Sequence, residues 1–344
     1  MTSFLNLDNL RTDLPVLLLS NADSNWPEED IHQARALLEL AAAELERIGH
    51  PVRSLLVTHP RLEELLQPFD PAAYIVFNWC EEIPGLPGSE ALAATVLEQR
   101  GFTFTGAASS ALAADKNRIK SLLNEHHLPT PPWTVYASPS PDGWQRFPAI
   151  VKPVREHGSA GIDRQAVVSD RQRLAAQVKN VLQTFNQPAL VEEFICGREL
   201  TVTILGNESL HLLPVAEIDF SAIADDLAHI RTYESKFEKD SPSYKQIETI
   251  LPALLTADEF DRLHTLACST YRAARCRDYA RLDVRLRDSV FYVVDVNHNP
   301  DLNLDSSLVL AAKAAGLSYG QLLSLLLNLA ARRHPVYRYP TGYT

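Results

Sequence analysis

The polar residues between positions 281 and 297 fall into two short runs with strand-like spacing. The first run is Arg281-Leu-Asp283 and the second is Asp295-Val-Asn297. Alternation of polar and apolar residues is typical of a β-strand with one polar face. If a three-residue loop joins the strands, Arg281 lies opposite Asp295 and the four polar side chains share one face. Carboxylate and amide oxygens suit Mg²⁺, so this face predicts a magnesium site, whereas the alternative is a solvated polar stripe.

A second candidate is the lysine that ends a predicted strand over residues 149–152. Lys152 precedes a turn of small residues that includes Ser159 and ends at Gly161. Backbone N–H groups in such a turn approach phosphate oxygens closely, and the lysine supplies compensating positive charge. The spacing is not that of a Walker A loop. It predicts either a different phosphate-binding loop or a plain hairpin turn beside a solvated lysine.

A third candidate is a hinge between two predicted strands within residues 190–203. Backbone groups at such a hinge can pair with the edge of adenine, and Glu199 can accept hydrogen bonds from ribose hydroxyls. A plain β-turn-β element with charged turn residues is the alternative. In chain order the candidates give a phosphate site, an adenine hinge and a metal-binding hairpin, and this order indicates a nucleotide site.

The bulk composition limits the partners and the compartment. The chain has 344 residues, of which 46% are hydrophobic and 22% charged, and its formal net charge is -11. This length predicts two or three domains with clefts between them, and the acidic balance disfavours nucleic acid as a partner. The apolar run 15–19 is too short for a signal peptide or a membrane span, so we expect a cytoplasmic protein with no membrane partner. The four cysteines lack Cys-x-x-Cys spacing, which disfavours a zinc site and a disulfide framework.

The elements that must position these candidates belong to an α/β protein. In the first third, strand-like runs alternate with helical patterns, which predicts a parallel sheet with helices on both faces. No Gly-x-Gly-x-x-Gly segment follows the first strand, so we expect this sheet to be a substrate-side platform. A helix is predicted near 110–126, a polar lid near 219–245, a helix near 257–275 and a closing amphipathic helix near 318–332.

Further motifs extend the pattern over most of the chain. They are Phe104-Thr-Gly106, Asp115-Lys-Asn-Arg-Ile-Lys120, Pro129-Thr-Pro-Pro-Trp133, Val151-Lys-Pro-Val-Arg-Glu156, Val191-Glu-Glu-Phe194, Gly197-Arg-Glu-Leu-Thr-Val202, Ala280-Arg-Leu-Asp283 and Asp295-Val-Asn297. From about Gly101 to about Ala330 the chain thus resembles the D-alanine-D-alanine ligases of the ATP-grasp superfamily. The resemblance implies a parallel-sheet substrate domain over 1–104. It also implies an α+β ATP-grasp fold with a central subdomain over 105–194, a C-terminal subdomain over 195–344 and ATP between them.

The resemblance also implies roles for individual residues in holding ATP, in holding metal and in catalysis. The ATP phosphates would be contacted by Lys116 and Lys152, by the 156–161 loop with Glu156 and Ser159, and by Lys236 of the lid. The nucleoside would be held by Glu192, Glu193, the backbone near Ile195 and, at the ribose, Glu199. Two Mg²⁺ ions, for which Mn²⁺ is a substitute, would be bound by Asp283, Asp295 and Asn297. Arg281 would stabilise an oxyanion, unless it is a structural ion-pair partner, and Ser306 would bind a substrate carboxylate.

The sequence departs from this family where the substrates would bind. The family's glycine-rich segments with acidic residues are replaced by residues 20–26 and 78–85, in which Glu81 or Glu82 is the candidate replacement for a missing acid. Asp301 stands where the family has a glycine after a proline. We infer that the ATP-activating residues are retained while the acceptor pocket is remodelled.

The implied activity is ATP-dependent formation of an acylphosphate from a small amino-acid-like carboxylate, followed by coupling to an amine. Within this class, D-alanine-D-alanine ligation competes with a specialised ligase that joins an amino acid to a natural-product scaffold, as the mycosporine ligases do. A kinase that phosphorylates a small molecule is a second class. A silent nucleotide-binding or scaffolding protein is a third class, which the lysines and carboxylates disfavour. The resemblance leaves the assembly state open, with a homodimer as one option.

Overall fold

The computed structural model describes residues 10–156, 159–232, 234–235, 241 and 245–338. Its strands are β1 Val16–Asn21, β2 Val52–Val57, β3 Ile75–Trp79, β4 Thr103–Phe104, β5 Trp133–Tyr136, β6 Ala149–Pro153, β7 Val167–Val168, β8 Ala189–Glu193, β9 Arg198–Gly206, β10 Leu210–Leu212, β11 Ala216–Asp219, β12 Glu248–Ile250, β13 Asp278–Arg287 and β14 Val290–Asn297. Its α-helices are α1 Glu28–Ile48, α2 Leu62–Leu66, α3 Glu90–Gln99, α4 Ser109–Leu112, α5 Lys116–Glu125, α6 Arg171–Phe185, α7 Ala257–Ala273, α8 Ser307–Ala314 and α9 Tyr319–Ala331.

The N-terminal sheet is fully parallel, with the strand order β2-β1-β3-β4, and it confirms the predicted alternation of strands and helices. Strands β1 and β3 are buried along their whole length. Successive side chains point to opposite faces, so Leu18 packs in the cluster with α1 and α9 while Leu17 packs with α2 and α3. Because the strands are parallel, their carboxyl ends meet at one edge of the sheet, where Asn21 and Trp79 lie.

The second sheet is antiparallel in the order β5-β8-β6-β7, and α6 covers one of its faces. The third sheet has six strands in the order β12-β11-β9-β13-β14, with β10 also paired to β9. The apolar residues Leu200, Val202 and Ile204 of β9 pack in a cluster with α5 and α7. Strand alternation therefore turns Glu199 and Thr201 to the other face. That polar face meets the second sheet across a cleft.

The predicted helix over 110–126 is wrong in its continuity. The chain forms two helices here, α4 and α5, separated by residues 113–115. The break occurs because Asp115 caps α5: its carboxylate accepts a hydrogen bond from the Arg118 N–H at 2.8 Å. The cap places Lys116 at the first position of α5, where its N–H donates to the Val154 carbonyl just beyond β6.

The predicted closing helix is confirmed as α9, which begins at a capping box formed by Ser318 and Gln321. Helices α8 and α9 pack between the N-terminal sheet and the end of the third sheet, where Leu205 and Tyr279 join the same core. The C-terminal segment therefore contributes to the core of the first sheet, and the division at 104/105 and 194/195 stays a prediction. Among the described residues no single helix has the length and hydropathy of a membrane span; α8 and α9 pass such a test only together, across a bend of 103°.

Candidate functional site

The cleft lies between the facing surfaces of the second and third sheets. Strands β6 and β8 form one wall, strands β9, β13 and β14 form the other, and Lys116 at the start of α5 closes one side. The predicted site residues that line it are Lys116, Lys152, Glu156, Ser159, Glu192, Glu193, Ile195, Glu199, Arg281, Asp283, Asp295 and Asn297. The fold thus brings together residues that are up to 181 positions apart, from Lys116 to Asn297.

The β13–β14 hairpin differs from its predicted register. Arg281 lies opposite Asn297 and not opposite Asp295, while Asp283 lies opposite Asp295. The connecting turn has two residues, Asp288 and Ser289, whose positive φ angles of 49° and 62° are typical of a tight hairpin turn. Between Val284 and Asp283 the pairing shifts by one residue. A two-residue turn and a β-bulge therefore replace the predicted three-residue loop.

The β-bulge determines the face on which the Asp295 carboxylate lies. Asp283 pairs with Asp295 and the next residue of β13 pairs with Val293, so Val294 is the inserted residue. A bulge of one residue reverses the alternation beyond it. Val294 and Asp295 are accordingly both half-buried neighbours at the cleft, between the buried Val293 and Val296. The bulge therefore keeps Asp295 on the same face as Asp283.

Both carboxylates of this face are held by cations. The Arg281 guanidinium donates two hydrogen bonds to Asp283, from Nε and Nη2, each at 3.1 Å. Lys116 Nζ lies 3.1 Å from Asp295 Oδ2. Asn297 Nδ2 lies 3.5 Å from Asp283 Oδ2. Two opposed carboxylates and one amide oxygen are a donor set that suits Mg²⁺, so the residues fit the metal that the sequence predicts.

Glu192 is the most buried charge of the cleft, with 1% of its side chain exposed. Its Oε2 lies 2.7 Å from Lys120 Nζ, and its Oε1 accepts a short hydrogen bond from Lys152. Lys120 also donates to the Thr130 hydroxyl at 2.8 Å and to the Val293 carbonyl at 3.3 Å. Burial favours a neutral carboxyl, but the two lysines outweigh it and lower the pKa of Glu192.

The same ion pairing fixes Lys152 at the cleft. Burial opposes the charged form, yet the attraction of Glu192 raises the pKa of Lys152. Burial lowers the pKa of Lys120, against the attraction of Glu192. Glu192, which the resemblance assigns to adenine, thus contacts the two lysines. Its contact with adenine stays a prediction.

The predicted ribose carboxylate is engaged by an arginine. Arg285 Nη2 lies 2.5 Å from Glu199 Oε2. The same guanidinium donates to the Gly197 carbonyl at 3.3 Å and, in a short hydrogen bond, to the His229 carbonyl. It also lies over Phe194, with 5.2 Å between its carbon and the ring centroid. Arg285 therefore connects the hinge, the predicted ribose position and the predicted lid at His229.

The mouth of the hinge carries a second ion pair. Arg287 Nη2 lies 2.8 Å from Glu193 Oε1, and Arg146 lies 3.6 Å from its other oxygen. Glu193 is half-buried at the cleft, whereas Ile195 is buried, with 2% exposure. Two residues further along, Gly197 has a φ of 154°, and a Cβ there would lie 2.2 Å from the Leu286 carbonyl oxygen. Only glycine fits this close approach of the hinge to β13.

The predicted phosphate loop contacts a described residue of the predicted lid, Arg231. The Ser159 hydroxyl donates to the Arg231 carbonyl at 3.0 Å. Behind the loop, Gln187 donates to Glu156 at 2.7 Å and accepts from the Arg155 N–H at 2.7 Å. His157, Gly158 and the predicted lid lysine Lys236 lie outside the described residues.

Ser306 lies apart from the cleft walls, at the beginning of α8. Its hydroxyl accepts a hydrogen bond from the Val309 N–H at 3.3 Å, which makes it the N-cap of this helix. The sequence analysis predicted no helix here. A helix N-terminus attracts anions, which is compatible with the predicted contact of Ser306 with a substrate carboxylate.

Three cations were not predicted from the sequence: Arg285, which lines the cleft, and Lys120 and Arg287, which pair with the cleft carboxylates Glu192 and Glu193. Lys120 had a usable signal, because it follows Lys116 by four positions and so shares a face of α5 with it. Arg285 and Arg287 continue the polar alternation of Arg281 and Asp283 along β13. Extension of the polar face by four residues would have placed Arg285 at the cleft and Arg287 beside it, next to Glu193.

Comparison with known proteins gives a consistent result. Residues 139–328 match the family described as D-ala D-ala ligase C-terminus. An uncharacterized protein, y4sG, from Sinorhizobium fredii is 33% identical over 90% of each chain. The D-alanine--D-alanine ligase of Methylacidiphilum infernorum is 30% identical over 92% of this chain and 96% of its own length.

Solved structures agree in fold. A D-alanine--D-alanine ligase from Bacillus anthracis complexed with ATP superposes with a TM-score of 0.70 at 20% identity, covering 93% of this chain and 98% of that one. The family match spans more than half of the chain, and the parallel sheet followed by two antiparallel sheets and a cleft is the arrangement of that fold. The chain therefore belongs to the D-alanine-D-alanine ligase family, whose members are ATP-grasp enzymes that form carbon–nitrogen bonds.

Proposed function

We propose that this protein activates a small amino-acid-like carboxylate with ATP as an acylphosphate and couples it to an amine. The observation that carries the proposal is the contact between Lys116 and Asp295, because it joins the predicted phosphate site to the predicted metal site in one cleft. When a nucleotide binds, its phosphates would engage the lysine and its metal would engage the carboxylate.

The nucleotide would lie along the cleft with its base at the hinge. The backbone beside Ile195 would pair with adenine, and Glu199, steadied by Arg285, would accept from the ribose hydroxyls. Lys116 and Lys152 would contact the phosphates under the loop that carries Glu156 and Ser159. Glu192 would position Lys152, since its carboxylate is committed to the two buried lysines.

Asp283, Asp295 and Asn297 would hold Mg²⁺, with Mn²⁺ as a substitute. The metal would supply neutralisation of phosphate charge, which is a main contribution of metals to phosphoryl transfer. In the conformation described, Arg281 and Lys116 engage these carboxylates. Binding of metal and nucleotide would therefore displace Arg281 and Lys116 from these carboxylates.

The proposed chemistry has two steps. In the first, a carboxylate oxygen of the substrate attacks the γ-phosphorus of ATP, and ADP leaves with the bridging electron pair. In the second, an amine nitrogen attacks the acyl carbon, and inorganic phosphate leaves as the amide forms and the amine loses a proton. Arg281 would bind the oxyanion of the second step, since it lies on the cleft face beside the metal carboxylates.

The substrate class rests on the relatives. Several are named D-alanine--D-alanine ligase, so D-alanine is the first candidate for both substrates. A specialised amino acid ligase of the mycosporine type is the second candidate. It is favoured by residues 20–26 and 78–85, which replace the family's glycine-rich segments at the carboxyl ends of β1 and β3.

The test is phosphate release from Mg²⁺-ATP with single amino acids and with pairs, with D-alanine alone as one condition and the products read by mass. Amine-dependent phosphate release with an amide product supports the proposal, and a D-alanyl-D-alanine mass identifies the substrate. A phosphorylated substrate without an amide would instead establish a kinase. Absence of phosphate release with every amino acid and pair would contradict the proposed activity.

A further inference from the structure

Glu81 lies within electrostatic reach of Glu90 and Asp301 where the N-terminal sheet meets the hairpin, and we call these three carboxylates the acidic chamber. Glu81 follows β3, Glu90 begins α3 and Asp301 follows β14. Asn299 ties the parts together, because it hydrogen-bonds to the Glu90 side chain and accepts a short hydrogen bond from the Tyr279 hydroxyl. Asp301 lies within electrostatic reach of Arg281, so the chamber adjoins the position at which the acyl group would react.

Glu81 is repelled by the other two carboxylates. It is an exposed residue, yet the desolvation of its carboxyl by the surrounding protein and the charges of Asp301 and Glu90 raise its pKa to about 7. Desolvation likewise raises the pKa of Glu90 to about 7 and raises the pKa of Asp301. Among the main causes of these shifts in the described residues, the one cation is Arg281, which acts on Asp301, and Asp301 also accepts the Asn303 N–H at 2.8 Å. This arrangement has an excess of negative charge that the described part of the chain does not neutralise.

A second observation is independent of the charges. Asn21, at the end of β1, is 4% exposed, and its Oδ1 accepts the Glu81 N–H at 2.9 Å. The amide therefore lies beside Glu81, a residue of the chamber. Its Nδ2, on the other arm of the same amide, has no hydrogen-bond partner among the described residues. A buried donor without a partner is costly and indicates a missing acceptor atom.

A metal ion does not explain the chamber. In the part of the chain that the structure describes, no three carboxylates, histidines or cysteines approach closely enough to hold a metal. An organic cation needs less convergence, because each ammonium hydrogen can meet a separate carboxylate. It can also carry the acceptor oxygen that Asn21 lacks.

We propose that the acidic chamber selects an amino substrate that carries an additional positive charge, of the type of a basic amino acid or its amide. The inference rests on the proposed ligase function and names the substrate class of that site. A neutral amino acid brings one ammonium and one carboxylate and leaves the excess negative charge in place. A basic amino compound neutralises this excess, with one of its oxygens accepting from Asn21.

The test uses matched pairs of probes that differ in one charge. Lysine and norleucine, and ornithine and norvaline, in both D and L forms, are titrated calorimetrically into the protein loaded with Mg²⁺ and a non-hydrolysable ATP analogue. At least one basic member should bind about tenfold more tightly than its neutral partner, the scale of one favourable charge contact. Equal affinities within every pair, or binding of neither member, would overturn the proposal.

Two variants assign the preference to the chamber. Glu81→Gln and Asp301→Asn should each remove the preference for the basic probe while the affinity for the ATP analogue stays unchanged. The matched controls Glu39→Gln and Asp261→Asn change exposed carboxylates outside the cleft and should keep the preference. Persistence of the preference in both chamber variants would contradict the assignment. Phosphate release with amino acid pairs is measured in parallel. Absence of the proposed ligase activity is thereby distinguished from absence of the proposed charge preference.

Discussion

The cleft and the acidic chamber treat their charges in opposite ways. In the cleft, the carboxylates of Asp283, Asp295 and Glu192 each face a cation of the same chain. In the chamber, the charges that act most on Glu81 are those of other carboxylates, and Glu90 has the neutral partner Asn299. The first pattern is typical of a nucleotide site in which the charges are already paired before the nucleotide binds. The second is typical of a pocket whose counter-charge arrives with the substrate.

This difference separates what the family explains from what it does not. The cleft is built from motifs that the sequence shares with the D-alanine-D-alanine ligases. Apart from Glu90, the chamber is built from the two segments and the aspartate, Asp301, by which the chain departs from them. The chemistry of activation can therefore be inferred from the relatives, whereas the choice of amine must be read from this chain's own residues.

The largest effect is expected from loss of a metal carboxylate. Asp283→Ala should reduce ATP-dependent phosphate release by about a thousandfold or more, because metal neutralisation of phosphate charge contributes several kcal/mol. The measurement is phosphate release at saturating ATP, with the melting temperature as a check of folding. The exposed Asp261→Ala on α7 is the matched control. Retained activity in Asp283→Ala would refute the metal assignment.

Deletion of Val294 tests the β-bulge. Without the inserted residue, Asp295 follows Val293 directly, and regular alternation keeps it on the cleft face opposite Asp283. Nucleotide-dependent binding of Mn²⁺ should therefore stay within about tenfold of the parent chain. Electron paramagnetic resonance of Mn²⁺ in the presence of an ATP analogue measures this binding. Val294→Ala keeps the bulge and should bind Mn²⁺ like the parent chain. Loss of Mn²⁺ binding in the deletion variant alone would show that the bulge itself is needed to position Asp295.

Removal of the buried carboxylate tests the lysine pairing. Glu192→Gln should lower the free energy of unfolding by about 3 to 5 kcal/mol at neutral pH, because it leaves two buried ammonium groups without their anion. The pKa of Glu192 is lowered in the folded state, so its contribution is present above its ordinary pKa and is lost as pH falls through the folded value. Denaturant unfolding of parent and variant should therefore converge at acidic pH. A constant difference across pH would exclude this origin.

Lys116 is expected to compete with metal for Asp295. In the protein without nucleotide, Lys116→Met should raise the affinity for Mn²⁺ about tenfold, since it removes a positive charge 3.1 Å from the carboxylate. Lys179→Met on α6 is the control for a general loss of positive charge. Unchanged or weaker Mn²⁺ binding would contradict the competition.

Removal of a carboxylate charge from the chamber should raise the free energy of unfolding, whereas its removal from Glu192 in the cleft should lower it. Asp301→Asn should stabilise the protein by roughly 0.5 to 1 kcal/mol at pH 8, the usual scale of relieved charge repulsion. The pKa of Asp301 is raised in the folded state, so the cost of its charge is present above the folded pKa and disappears as pH falls below its ordinary value. Thermal unfolding across this pH range measures it. Destabilisation at pH 8 would show that the charge of Asp301 is favourable in the folded state and would break the contrast with the cleft.

The sequence predicted most of the cleft but not its exact register. Periodicity and motifs identified β13, β14 and the four polar residues of their shared face. The two-residue turn and the bulge at Val294 carry no glycine or other signal, and their effects on the pairing add, so Arg281 meets Asn297. Such a shift depends on packing against the neighbouring strand, which no local pattern encodes.

Tertiary contacts account for the remaining differences. Lys120 and Glu192 pair because α5 packs across β8 and β14, and this contact joins residues that are far apart in the chain. The split between α4 and α5 has a local signal, the capping residue Asp115, which the predicted single helix overlooked. The acidic chamber was visible only as separate acids, since three elements must fold together to form it.

The most direct test of the account follows the oxygen atoms of the substrate. Amino acids labelled with ¹⁸O in their carboxylates are incubated with the protein and Mg²⁺-ATP, and the released phosphate is analysed by mass spectrometry. An acylphosphate route predicts that one labelled oxygen passes from the carboxylate to phosphate for each amide formed. Amide formation with unlabelled phosphate, or label retained in a phosphorylated product without an amide, would contradict the central claim.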